Sequence, residues 1–171
     1  MDQLIMYWRS GGPLPDMPDF KEFTLRSFNG SDEDMEKWLD IVQYGLTAKR
    51  EDADFFALCM LSHKELEYNK IYMVEKDGDA AATLTVICNY EKKEGYIHMV
   101  ACKPEYRGRG LGNKLSSLAV RTLILSGMET AYLSTDDFRI PAIKSYLRAG
   151  FLPDLSTEDF KKRWAAIYGI I

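Results

Sequence analysis

Between Cys102 and Gly112 the chain reads Cys-Lys-Pro-Glu-Tyr-Arg-Gly-Arg-Gly-Leu-Gly, three glycines and two arginines in a short run. Glycine permits turns that leave backbone amides unpaired, and the positive end of a helix dipole starting there adds to them. Such a place cradles a diphosphate. A Rossmann-type dinucleotide fingerprint fits less well: it needs a third glycine where Asn113 stands, an early βαβ position and a later acidic ribose ligand. Cys102 has no base at a recognisable spacing and is not expected to act as a nucleophile. The three cysteines and two histidines suggest neither a disulfide framework nor a zinc site.

The elements that must hold this run can be read around it. The strand Tyr96 to Cys102 leads in, and a helix from Leu111 to Leu125 leads out, its stripe Leu111, Leu115, Leu118, Thr122 and Leu125 closed by Gly127. Upstream, Phe23 to Phe28 is a short strand. Ser31 then caps a helix with Asp32, Glu33 and Asp34 in its first turn and Met35, Trp38, Leu39, Val42 and Leu46 on one face. Asp52 to Glu67 is expected as a second helix. Ile71 to Glu75 and Ala80 to Cys88 form a hairpin about the Asp77-Gly78 turn. Downstream come a strand, Ala131 to Ser134, and a helix beginning near Pro141 and ending at Gly150. The tail carries Phe160, Trp164 and Tyr168 and suits a final strand or short helix. Residues 1–22, rich in proline, are expected as an irregular arm, so that residues 1–171 make one domain.

Composition narrows the partners. The chain has 171 residues, 46% hydrophobic, with 22 basic against 26 acidic side chains and a net charge of −4. A globular fold follows, with little general attraction for nucleic acid or anionic lipid. No apolar stretch is long enough to span a membrane and no leader is evident, so a cytoplasmic protein is expected.

Two motifs in order, Arg107-x-x-Gly110-x-Gly112 with Pro104 before it, and Tyr146 four residues ahead of Gly150-Phe151, make residues 96–153 resemble the GNAT superfamily of acyl-CoA-dependent N-acetyltransferases. The resemblance implies an α/β fold of the α+β type: a mixed, mostly antiparallel twisted sheet flanked by helices, with splayed central strands. It implies acetyl-CoA as co-substrate and no metal, with the pyrophosphate held by Arg107, Gly108, Arg109, Gly110, Leu111 and Gly112. The strand end Val100, Ala101 and Cys102 would offer backbone groups to the pantetheine arm. Tyr146 would protonate or hydrogen-bond the leaving sulfur, and Glu94, thirteen residues before Arg107, would deprotonate an amine acceptor through water.

Alternation places Glu94, Tyr96 and His98 on one face, while Glu94 also reads as an exposed hairpin-tip acid and His98 as a packed strand residue. Asp136 and Asp137 would attract a cationic substrate or cap the next helix. Arg139 departs from the family's asparagine at that place and is not counted as a site residue. The reaction implied is acetyl transfer to a primary amine of a small molecule or peptide in a ternary complex; self-association is compatible with it. A non-catalytic acyl-CoA-binding regulatory module is the competing reading.

Overall fold

The computed structural model describes residues 2–47 and 49–171. The chain opens with strand β1 (Leu4–Arg9), where an irregular arm was expected. Proline and glycine beyond Ser10 obscured a period-two alternation that buries Leu4, Met6 and Trp8 and turns Tyr7 and Arg9 outward. Only the stretch after it is irregular, and it straps the sheet's helical side: Arg121 donates to the Pro15 carbonyl at 2.7 Å, and Phe20 is buried in the core.

Strand β2 (Thr24–Ser27) and helix α1 (Asp32–Val42) follow as expected. The Asp34 amide donates to Ser31 Oγ at 3.2 Å, the capping geometry that the sequence implies. Asp34, only 2% exposed, accepts two 2.7 Å bonds from Arg26, and Arg26 also pairs with Glu75. Those ion pairs lock α1 against the sheet and hold both carboxyls below their usual range. The second helix is much shorter than expected: α2 (Ala53–Phe56) runs directly into a π turn, Ala57–Leu61, and stops.

The hairpin is strands β3 (Ile71–Lys76) and β4 (Asp79–Asn89). Then come β5 (Glu94–Cys102), α3 (Leu111–Leu125), β6 (Thr130–Thr135), α4 (Ile140–Arg148), the two-residue β7 (Leu152–Pro153) and α5 (Glu158–Tyr168). The tail is therefore helical. Thr157 Oγ1 accepts from the Phe160 amide at 3.1 Å, and Trp164 enters the core.

The sheet order is β2-β3-β4-β5-β6-β1-β7. Every pairing is antiparallel except β5 with β6. One face packs against α3, α4 and α5. On the other, α1 and α2 cover the half built from β2 to β5. This is the mixed, mostly antiparallel sheet flanked by helices that the sequence implies.

Two features of β5 decide where a site can lie. Its parallel pairing with β6 runs only from Glu94 opposite Thr130 to Ile97 opposite Leu133, after which the strands part. At the same level its register against β4 jumps: Thr83 and Thr85 face Ala101 and His98, so β5 carries an extra residue there. Met99 takes a left-handed φ of 51° to accommodate the bulge. Lower down, Gly95 lets α3 lie close on the sheet, since a Cβ there would overlap Leu123 Cδ2. On the other face His98 ties β5 to the π turn. Its Nε2 donates to the Cys59 carbonyl at 3.2 Å, and its Nδ1 accepts from the Tyr96 hydroxyl at 3.0 Å. Burial pushes its pKa down to about 4.

Gly95→Ala is expected to destabilise the protein by about 1–3 kcal/mol, because Leu123 is fully buried and has nowhere to move; urea midpoints read this. His98 gives a pH dependence. Above its unfolded value of about 6.5 the ring is neutral in both states; as pH falls toward about 4 only the unfolded chain takes the proton, so stability is lost, on the order of 3 kcal/mol in full. His98→Gln keeps a donor and an acceptor but does not titrate, so its stability should fall less than the wild type's between about pH 7 and about pH 4.5.

Candidate active site

Where β5 and β6 part, a cavity of about 160 Å³ opens. Tyr96 to Val100 line it from β5, Ser134 and Thr135 from β6, and Arg139, Ala142 and Tyr146 from α4 and its N-cap. Gln3 and Leu46 close its ends. The sequence pointed to Val100 and Tyr146 in this set, and the fold brings them together although 46 residues separate them.

Tyr146 is 8% exposed and packs edge-on against Phe151 at 6.2 Å. The Tyr-x-x-x-Gly-Phe spacing is thus a packing unit: Gly150, at φ 92°, turns the chain back, and the Phe151 amide donates to the Tyr146 carbonyl at 3.0 Å. Burial pushes the phenol up to about 12, with Arg139 pulling weakly the other way. Its hydroxyl makes no side-chain hydrogen bond among the described residues, and it lines the cavity. It is a protonated donor facing open space.

The glycine run follows the end of β5. A single turn of tight helix, Pro104–Tyr106, ends β5. Gly108 and Gly110 then take φ of 76° and 78°, the left-handed region where glycine is least strained. Gly110 caps α3 without any side-chain bond, so the amides of Leu111, Gly112 and Asn113 have no intrahelical acceptor. A Cβ built on Gly108 or Gly110 would meet open space. Main-chain donors, the helix dipole and an approachable backbone are what a diphosphate requires. Gly112 has a different duty: it allows α3 to touch α4, where Ser145 Oγ would lie 3.1 Å from an added Cβ.

Both arginines of the run are already engaged. Arg107 donates from Nε to the Cys102 carbonyl at 3.2 Å and from Nη2 to the Tyr44 carbonyl at 2.8 Å, bracing the turn against the end of α1. Arg109 pairs with Glu22 at 2.9 Å and lies over the Tyr106 ring. The donors the turn offers are therefore mostly main-chain. Burial pushes the Cys102 thiol up to about 11, which keeps it from forming a nucleophilic thiolate.

Glu94 begins β5, paired with Asn89 and Thr130. It shares a face with Tyr96 and His98 but sits two residues outside the cavity lining. No carboxylate lines that cavity among the described residues. Asp136 and Asp137 are taken by Arg139 and Arg163, so neither stands free to attract a cation, and neither side chain caps α4. Arg139, set aside in the sequence, does enter the cavity. So do two residues that no motif marked, Gln3 and Leu46, and the His63 ring packs behind the lining, 5.1 Å from that of His98. Only the tertiary fold brings these together.

The Acetyltransferase (GNAT) family profile matches residues 32–151. A mycothiol acetyltransferase of Streptomyces bingchenggensis is 30% identical over 80 residues, 47% of this chain and 26% of that protein; the chain spans about a quarter of the length of this relative. An uncharacterized N-acetyltransferase of Methanocaldococcus jannaschii is 28% identical over 80% of this chain and 56% of its own. Among solved structures, a GCN5-related N-acetyltransferase from Sphaerobacter thermophilus superimposes with a TM-score of 0.73 at 18% identity, covering 90% of this chain and 50% of that one. Ard1 from Thermoplasma volcanium gives 0.62 at 23% identity, over 82% and 92%. With the family match extending over most of its length, the chain belongs to the GNAT acetyltransferase family.

Proposed function

We propose that this protein transfers an acetyl group from acetyl-CoA to a primary amine by direct attack in a ternary complex. The observation that carries the reading is the fork between β5 and β6, with uncapped amides at one end and a protonated, unpartnered phenol in the cavity. The residues present fit a coenzyme A ester. The amides of Leu111, Gly112 and Asn113 would hold its diphosphate, and beyond Ile97 the β6 side of β5 has no strand partner, leaving Val100 to Cys102 beside the arm. Acetyl-CoA supplies the activated acyl group as a thioester.

This chain's residues then have two proton problems to solve. A primary alkylamine with a pKa near 10.4 is mostly ammonium at neutral pH, and freeing it costs about 4.6 kcal/mol. His98 is a poor base for this, since burial holds it near 4 and both ring nitrogens are engaged. Glu94, on the same face of β5, would take the proton through water. At the departing sulfur the Tyr146 phenol donates, and its raised pKa keeps the proton in place throughout the neutral range. Main-chain amides near Val100 would stabilise charge on the carbonyl oxygen. The names of the relatives favour transfer over a non-catalytic binding module.

Tyr146→Phe should lower kcat about ten- to a hundredfold and leave the dissociation constant of CoA unchanged; thiol release and calorimetry measure the two separately. Gly110→Leu should instead weaken CoA binding at least about tenfold, because it forces a side chain into the left-handed region and over the exposed amides. Intact CoA affinity in that variant would remove the glycine turn from the reading.

A further inference from the structure

Beyond the cavity, one half of the sheet face opposite α3 remains open. Strand register places Leu152 of β7, Tyr7 of β1, Tyr132 of β6 and Tyr96 of β5 in one row across four strands. Tyr96 and Tyr132 stack at 4.7 Å, Tyr7 is 47% exposed and Leu152 is more exposed still. Tyr96 belongs both to this row and to the cavity lining, so the open face is continuous with the site.

Its charge is specific. Asn89 pairs with Glu94 across β4 and β5 and donates from Nδ2 to Glu65 Oε1 at 3.2 Å, which gathers two carboxylates at the edge of the row. Neither lies within 4 Å of a lysine or arginine among the described residues. Arg9 is level with Glu94, but Thr130 of β6 stands between them, about 10 Å across by strand spacing.

We propose that this face binds the amine acceptor and that the acceptor is a dication: an alkyl diamine or polyamine whose chain lies along the tyrosine row and whose second ammonium sits by Glu65 at its edge. Aromatic surface takes the apolar chain, and the carboxylates complement the charge. Two residues of β5 separate Tyr96 from Glu94, roughly 7 Å, so the second cation lies at least that far beyond the cavity. The inference rests on the acetyl-transfer reading above.

The test compares cadaverine and spermidine with n-pentylamine, which has one amine and a similar chain. Thiol release from acetyl-CoA should give the dications a kcat/KM about fivefold or more above the monoamine, the size expected of exposed charge contacts. Glu65→Gln keeps the contact with Asn89 and removes the charge. It should raise KM for the dications several-fold with kcat unchanged, and leave n-pentylamine unaffected. Equal kcat/KM for the three amines, or an equal effect of Glu65→Gln on all three, would overturn the proposal. Absence of turnover with every amine would sink acetyl transfer instead, and the face is then read by calorimetry with spermidine and the CoA-loaded protein. Binding weakened by Glu65→Gln supports the dication site, and no binding refutes it.

Discussion

Everything in this cleft depends on β5 ceasing to pair with β6. The extra residue near Met99, held at φ 51°, bends the strand at the point where parallel pairing ends. Without the bend, β5 and β6 would continue side by side and the space behind Ile97 would be closed by ladder hydrogen bonds. Because they diverge, α4 can direct Tyr146 into the gap, and α3 starts beyond the end of β5 with its first amides uncapped. The contact of Gly112 with Ser145 then fixes the two helices relative to one another. A bulged strand, a glycine and a small hydroxyl residue set the distance between the start of α3 and the phenol.

The proton inventory follows from the burial that this geometry creates. Desolvation disfavours charge, so the phenol keeps its proton and the imidazole of His98 stays without one. An acid is thus built into the cavity wall, whereas the carboxylates stand outside it, in contact with water. Among the described residues Arg139 is the one charged group in the lining, and Asp136 pairs with it at 2.7 Å. The protonated phenol and the carboxylates thus occupy places of different polarity.

The glycine turn and the packing of Tyr146 are legible in the sequence because each is local. Gly108 and Gly110 signal left-handed turns by their identity, and Tyr146, Gly150 and Phe151 pack within one turn of each other. Most elements follow the same logic, with Ser31 and Asp34 the clearest case. Three parts were misread or invisible. In β1 the alternation of Leu4, Met6 and Trp8 was outweighed by the prolines behind it, though its partner lies some 125 residues away. The helix expected to Glu67 stops near Leu61. Its π turn leaves the Cys59 carbonyl for His98, a tertiary bond that local propensity does not encode. The bulge at Met99 carries no glycine and therefore no local mark.

This division explains why the two halves of the site differ in how far they can be read. The cradle and the tyrosine come from residues 107–151, inside the stretch matched by the family. The open face draws Tyr7 from β1 and Leu152 from β7, outside that stretch, and joins them to Tyr132 and Tyr96 only through strand order. On the proposed reading, a change at Tyr7 or Glu65 would alter acceptor choice and leave the fork, the amides and the phenol intact. Among the described residues Tyr96 is the one that belongs to the cavity and the row at once.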